Sequence, residues 1–335
     1  MTFPDGLQLP GNETGLSWRS ITPADLDDWY ALTRRIVAED KPGWAEERAD
    51  LEHVLSRSSD DPARDTIVGL DPDGVPRAFG GVSVNPDSVR VAGFGGVDPQ
   101  WRRRGIGTAV FRWQEARAKQ RVQDRRGGQP VLRSYAEANN PSAVALLESA
   151  GARIVRYFTE MTRPLAGELP EVPLPEGLSF VTFSEELSER FRLAHNEAFQ
   201  DHWGSEPRDQ ESWTFTVSHP QFRADWSFAV VEESSGGIAA YQLASFDPES
   251  KEILGYTEGY TELLGVLRGW RGMRIAPAML SEAMRRFRDS GMENAGLGVD
   301  TENPSGALKI YEQLGYRPVS RQVVFDKPLD AGSAA

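Results

Sequence analysis

Apolar and polar positions along the chain fall into blocks of two periods, and the order of the blocks recurs once. Helical spacing opens the series over residues 23–32, with Thr22 as N-cap and Asp25 three residues on in a box-like position. A second helix is expected over 46–55. Residues 66–70 and 77–84 alternate around Asp71-Pro72-Asp73-Gly74, a turn signal, and predict a hairpin. A short, apolar, glycine-rich run at 91–97 reads as a buried strand. Beyond it Ile106, Ala109, Val110, Trp113 and Ala116 recur at helical spacing and give one buried face. Residues 131–135 read as a strand, 141–149 as a short helix closed by Gly151, and 153–161 as a last strand region.

After residues 164–177, which carry Pro164, Pro170, Pro173 and Pro175, the series starts again. Helices are expected over 185–199 and 209–217, and a hairpin joins 227–231 to 238–246 through Ser234-Ser235-Gly236-Gly237. A strand over 255–266, a helix over 275–289, a strand over 295–300 and a helix over 304–314 follow, and the final residues read as frayed. Two marker pairs make the recurrence specific. Trp101-Arg102 returns 169 positions later as Trp270-Arg271. Asn139-Asn140-Pro141-Ser142-Ala143 returns as Asn303-Pro304-Ser305-Gly306-Ala307, with the leading asparagines 164 positions apart. Two pairs in register mark two copies of one domain, and the period is far longer than that of a solenoid. The expected division is residues 1–163, a semi-rigid proline-rich linker at 164–177 with little to build a core, and residues 178–330.

Composition narrows the choice of chemistry. With 335 residues, 39% of them hydrophobic, the chain has material for two cores. No apolar run is long enough to span a membrane, and the first residues lack the basic start and apolar core of a signal peptide. A cytoplasmic location is the default expectation. The absence of cysteine removes disulfides, thiolate metal sites and cysteine nucleophiles, and with only four histidines it argues against a structural zinc. A net charge of −13 argues against a nucleic-acid-binding surface. It suits a surface that is simply well solvated, and less closely a cationic or amine substrate.

Candidate chemistry concentrates in residues 97–108, VDPQWRRRGIGT. Gly105 and Gly107 stand where the strand gives way to the amphipathic helix. Helix N-termini carry unpaired N–H donors and a positive dipole end, and glycines let a phosphate approach the backbone. A dinucleotide-binding fingerprint is a poor alternative, because the spacing Gly-x-Gly-x-x-Gly is missing and no alternating βαβ series follows. Arg102, Arg103 and Arg104 read either as phosphate contacts or as a solvated charge run. In context, Arg102-x-x-Gly105-x-Gly107 resembles the acyl-CoA pyrophosphate loop of the GNAT superfamily of N-acetyltransferases. The helix, the strand, the Asn-x-x-x-Ala passages and Gly315-Tyr316-Arg317 are similar as well. The resemblance covers nearly the whole chain in two copies. The tandem layout, and the passage Asn196-Glu197-Ala198-Phe199-Gln200-Asp201-His202-Trp203-Gly204 with Trp213 later, resemble the mycothiol synthase-like group.

This resemblance implies two GNAT-like α/β domains, each a twisted, mostly antiparallel sheet flanked by helices. It implies acetyl-CoA as acyl donor, a primary amine of a small molecule as acceptor, and no nucleic-acid or membrane partner. Amides and side chains of Arg102, Arg103, Arg104, Gly105, Ile106, Gly107 and Thr108 would hold the pyrophosphate. Gly95, Gly96 and Val97 would pair with the pantetheine arm, where an N–H would also stabilise an oxyanion, and Asn139 would join them. The corresponding set in copy two is Leu264, Val266, Arg271, Gly272, Met273, Arg274, Ile275, Ala276 and Asn303.

Acyl transfer to an amine needs a base for the ammonium proton and an acid for the departing thiolate. The superfamily's acid is a tyrosine in the helix after the asparagine, which is Tyr311 here; copy one has Leu147. Tyr311 otherwise reads as a core aromatic beside Ala307, Ile310 and Leu314. Glu258 and Glu262, on one strand face by alternation, are the base candidates, and equally read as exposed strand carboxylates. His202 and Trp203 are candidate substrate contacts, and His202 equally reads as structural. Copy two departs from the loop pattern: Arg274 replaces the first glycine and Ala276 the second. Arg274 is costly if the backbone there needs positive φ, and harmless if the helix has already begun. The parts suggest a division of labour, with copy one binding acyl-CoA and copy two carrying the chemistry. The competing reading is a non-catalytic acyl-CoA-binding or sensing protein with two degenerate sites.

Overall fold

The computed structural model describes residues 6–43, 46–302 and 306–329. They form two compact units, one made of the residues up to Tyr157 together with those from Arg321 onward, the other spanning Phe158–Ser320. In the first unit the chain runs through β1 (Ser17–Arg19), α1 (Leu26–Asp40), α2 (Arg48–Ser56), α3 (Pro62–Asp65), β2 (Thr66–Leu70), β3 (Pro76–Ser83), β4 (Arg90–Val97), α4 (Ile106–Val122), β5 (Val131–Glu137) and α5 (Pro141–Ser149), ending within β6 (Arg153–Pro164). The second unit continues with β7 (Leu178–Thr182), α6 (Ser188–Ala198), α7 (Gln210–Ser218), β8 (Phe228–Glu232), β9 (Ile238–Ser245), α8 (Ser250–Leu254), β10 (Glu258–Val266), α9 (Ile275–Asp289), β11 (Asn294–Asp300) and α10 (Ala307–Gln313), and the chain returns to the first unit within β12 (Arg317–Pro328). Among the described residues no helix is long and apolar enough to cross a membrane.

The two units repeat one strand arrangement. The first is ordered β1-β2-β3-β4-β5-β12, the second β7-β8-β9-β10-β11-β6, and each is antiparallel except for one parallel pair, β4 with β5 and β10 with β11. Alternation along the strands gives each sheet two apolar faces. In the first unit Ile67, Ala78, Val91 and Leu132 pack under α4 and α5, while Val68 and Phe79 face Trp29 and Leu32 of α1. In the second, Ala240, Ala244, Ala295 and Leu297 pack under α9, and Tyr241 and Leu243 face Phe191 and Trp213 of α6 and α7. The box expected before α1 is formed, with the Thr22 N–H donating to Asp25 Oδ2 at 2.8 Å.

Three expectations change. The first sheet is closed by residues 322–328 of β12, paired with β5, and residues 158–164 of β6 pair instead with β11. Each copy thus gives up the strand after its last helix, so the unit boundaries fall inside β6 and β12 rather than at residues 163 and 178. Residues 164–177 are not a bare linker. Leu165 and Leu169 are buried in the core of the second unit, and the Pro170 carbonyl accepts from Ser281 Oγ, so this segment is part of that unit's packing. A short helix, α8, occupies residues 250–254, for which no element was expected, and Gly255, with φ 87°, ends it, so β10 begins at Glu258 rather than at 255.

Candidate active site

Each unit has one strand that loses a neighbour partway along. The β4–β5 ladder covers only Arg90, Val91 and Ala92, opposite Val131, Leu132 and Arg133. Its counterpart between β10 and β11 runs from Glu258 to Thr261 and stops. Residues 93–97 and 263–266 stay paired with β3 and β9 but have no parallel partner strand among the described residues. The freed strand edge matches an extended chain that carries amides.

Both edges lead into turns of one shape. The Trp101 N–H donates to the Asp98 carbonyl at 2.8 Å, and the Trp270 N–H to the Leu267 carbonyl at 2.9 Å. Positive φ occurs at Arg103 (64°) and Gly105 (77°) in the first turn, and at Gly272 (81°) and Arg274 (61°) in the second. Each turn therefore needs two left-handed residues, and each copy gives glycine to only one of them. Arg274 has not entered the helix: it caps α9 in the left-handed region, as Gly105 caps α4. The first intrahelical bond of α4 is donated by Ala109 to the Gly105 carbonyl at 3.0 Å, which leaves the Ile106, Gly107 and Thr108 amides for an anion. In α9 the third of these positions is Pro277, which has no N–H, so the second cradle has one donor fewer. The signal for this difference is local, a proline at the third position of α9.

Arg102 and Arg271 brace the turns. Arg102 Nε donates to the Val97 carbonyl at 3.2 Å, and its Nη atoms form a bidentate pair with Asp40 at 2.6 and 2.8 Å. Arg271 repeats the first bond, to the Val266 carbonyl at 3.1 Å, and adds one to the Ala198 carbonyl at 3.0 Å. Their side chains are spent on protein partners, which leaves the backbone as the phosphate-facing part. Arg104 lies over the Trp101 ring at 4.5 Å, and Arg103 is exposed. Asp40, at the end of α1, also accepts from Asn140 Nδ2 at 3.3 Å, while Asn140 Oδ1 caps α5. The capping asparagine is thus Asn140, and Asn139 is exposed beside it. Asn303 lies outside the described residues.

The copies diverge where the strands part. Ala78 pairs with Val97 and Ala240 with Val266, and counting back from these pairs keeps β3–β4 in regular register. In β9–β10 the register shifts between Thr261 and Leu263, so Glu262 is an extra, bulged residue with no counterpart in β4. It is exposed at the opening and accepts from Ser245 Oγ at 2.5 Å. Glu258 sits elsewhere, in the paired part of β10 opposite Asn294, buried, with Oε1 accepting from Thr162 Oγ1 at 2.5 Å. Burial lifts its carboxyl to about 7, although the Thr162 bond pulls the other way. Between the two, Tyr260 Oη donates to Glu160 Oε2 at 2.7 Å, and burial raises the Glu160 carboxyl as well. Neither Glu160 nor Tyr260 carried a sequence signal, because their meeting depends on β6 pairing with β11.

Tyr311 lies on α10, packed against Tyr316 with ring centroids 6.1 Å apart, and burial pushes its phenol up to about 12. Its counterpart Leu147 is a buried core residue of the first unit. His202 and Trp203 follow α6; His202 packs on Phe199 and Trp203 on Phe158. The more buried histidine is His195, whose Nδ1 lies 2.5 Å from Tyr241 Oη; burial first, then Arg208 and His202, lower it to about 4 and keep it neutral.

Known proteins resemble this chain in sequence and fold. The pattern of the Acetyltransferase (GNAT) family matches residues 24–152 and 185–316. Mycothiol acetyltransferase of Thermomonospora curvata is 28% identical over 261 residues, which cover 76% of this chain and 80% of that protein. Among solved structures, the GCN5-related N-acetyltransferase from Sphaerobacter thermophilus matches with a TM-score of 0.72 and 27% identity, covering 96% of this chain and 97% of the other. A tandem GNAT protein from the clavulanic acid biosynthesis pathway has the same fold, with a TM-score of 0.69 at 17% identity over 96% of this chain and 100% of its own.

Proposed function

The chain belongs to the GNAT family of acetyltransferases, and from that premise we propose that it moves an acetyl group from acetyl-CoA to the primary amine of a small molecule, with the chemistry carried by the second unit. The observation that carries this reading is the bulged Glu262, which has no counterpart in the first unit. Coenzyme A presents an amide-bearing arm and a pyrophosphate, which suit the freed strand edges and the amides of the two turns. Bound acetyl-CoA supplies the acetyl group as an activated thioester.

Glu262 takes the ammonium proton and passes it to solvent; the free amine nitrogen then bonds to the carbonyl carbon, and as the carbon–sulfur bond breaks the nitrogen gives up its second proton to Glu262, leaving the neutral amide. Backbone N–H groups on the freed edge of β10 stabilise the charge on the carbonyl oxygen. Tyr311 hands its proton to the leaving sulfur and regains one from solvent; with its phenol near 12 it is fully protonated at neutral pH. Expected of Glu262→Gln and Tyr311→Phe is a fall in kcat of about 10²–10⁴-fold. Leu147 and the regular β4 ladder favour binding without turnover in the first unit. Mycothiol-type acceptors enter the test panel through the relatives' name.

Calorimetric titration with acetyl-CoA tests the division. The wild type should show a tighter and a weaker event, since Pro277 removes a donor from the second cradle. Gly105→Glu should abolish the tighter event and spare turnover. Ala276→Glu should abolish the weaker event together with turnover. The opposite assignment of turnover would move the chemistry to the first unit and overturn the reading.

A further inference from the structure

The second unit holds an arginine that forms no ion pair among the described residues. Arg208 lies between α6 and α7, and its backbone is clamped. The Arg208 N–H donates to Asn196 Oδ1 at 2.8 Å, and its carbonyl accepts from Asn196 Nδ2 at 3.1 Å and from Arg192 Nη1 at 2.8 Å. Of the guanidinium, Nη1 donates to Thr216 Oγ1 at 2.7 Å. Among the described residues it makes no ion pair, whereas Arg192 and Arg268 pair with Glu189 and Asp201. Arg208 acts electrostatically on Tyr241 and Glu262, and burial holds it below the ordinary arginine range. Tyr241 in turn fills the space over Gly265, on the freed part of β10. The guanidinium therefore belongs to the sheet face on which Glu262 stands.

That face is polar in a directed sense. Glu160 and Glu262 make its β10 side acidic, with the neutral Tyr260 phenol bonded to Glu160, Arg208 makes its α6–α7 side basic, and the neutral His195 adds no charge. Arg208 is half-buried with one side-chain hydrogen bond among the described residues, to Thr216, and a ligand anion can complete its pairing. A zwitterion fits such a gradient head to tail. We infer that Arg208 determines acceptor specificity, and that the acceptor carries a carboxylate close to the amine deprotonated by Glu262, as an α-amino acid does. The inference rests on the second unit being the catalytic one. Arginine suits the role because its planar fork takes a carboxylate through two parallel bonds.

Acetyl transfer by the full chain, followed by thiol release, tests this with matched pairs of L-amino acids and their carboxamides. The wild type should favour the acid over its carboxamide by at least about tenfold in kcat/KM. Arg208→Gln should erase that preference through KM, lowering kcat/KM for the acid much more than for its carboxamide, and leave acetyl-CoA binding unchanged. Arg208→Lys, which keeps a charge without the fork, should retain part of it. A wild type that favours carboxamides, or an Arg208→Gln variant that lowers both members of a pair equally, overturns the inference. Where no pair is turned over, calorimetry with N-acetyl amino acids and N-acetyl amino-acid amides decides. Carboxylate-dependent binding lost in Arg208→Gln supports the role, and absent or equal binding overturns it. Failure of the underlying catalytic reading has its own signature, wild-type turnover in Glu262→Gln.

Discussion

Replacing Arg274 by glycine should stabilise the second unit. Arg274 caps α9 with φ 61°, in the left-handed region. Holding a side-chain-bearing residue there costs about 1–2 kcal/mol. Glycine also gains freedom in the unfolded chain, which takes back about 0.4–1 kcal/mol. The exposed Arg274 side chain makes no hydrogen bond or ion pair among the described residues, so its removal forfeits no partner. The net gain of roughly 1 kcal/mol raises the melting temperature of a unit of this size by about 2–4 °C. Arg274→Ala separates the causes, since alanine shortens the side chain and keeps the strain. Its melting temperature should stay near the wild type. The mirror substitution, Gly105→Ala, should cost roughly 1 kcal/mol; a Cβ built on Gly105 meets nothing within 4 Å, so the loss is purely conformational. Scanning calorimetry and urea midpoints on the three variants provide the measurement. An Arg274→Gly protein no more stable than Arg274→Ala, or a neutral Gly105→Ala, would refute the argument from backbone conformation.

Two further outcomes follow from side-chain environments. Burial raises the Glu258 carboxyl from 4.5 to about 7, so between those values the native state holds a proton that the unfolded chain has released. Stability should fall as pH rises through that window, by roughly 3 kcal/mol in all, and level off above it. Urea midpoints at pH 5 and pH 8 should differ in the wild type and converge in Glu258→Gln; equal slopes in both would rule out Glu258 as the source. Asp40→Ala removes the anchor of both Arg102 and Asn140. It should cost the first unit about 1–3 kcal/mol and weaken only the tighter acetyl-CoA binding event, as read by calorimetry.

The two-copy layout and the phosphate-binding turns were legible because both are written locally. Trp101-Arg102 and Trp270-Arg271 repeat as letters, and Gly105 marks a backbone position that few other residues tolerate. Arg274 shows the limit of that signal, since the fold holds the same conformation at the same position with a side chain in place. The bulge at Glu262 was hidden because Glu258, Tyr260 and Glu262 alternate as a regular strand does, and only the register against β9 reveals the extra residue. Strand partners were equally hidden. β6 and β12 read as strands whichever sheet receives them, so Glu160 beside Tyr260 and Arg133 beside Asp326 could not be foreseen. Arg102 and Arg271 were visible as charges, but their commitment to carbonyls and to Asp40 depends on where α1 and α6 end.

The exchange of β6 and β12 sets a clock on the making of the protein. On the ribosome, everything the first sheet needs except its last strand has emerged once β5 and α5 are made. Its closing strand begins at Arg321, after the whole of the second unit. At ordinary rates of synthesis that interval lasts roughly ten to thirty seconds. Through it, the β5 edge waits with its N–H and C=O groups unmatched, open to any strand that reaches it first. The second copy meets no such delay, since residues 158–164 of β6 are ready before β11 is made. Order of birth therefore favours completion of the second unit first, and the first unit to be translated is the last to be finished.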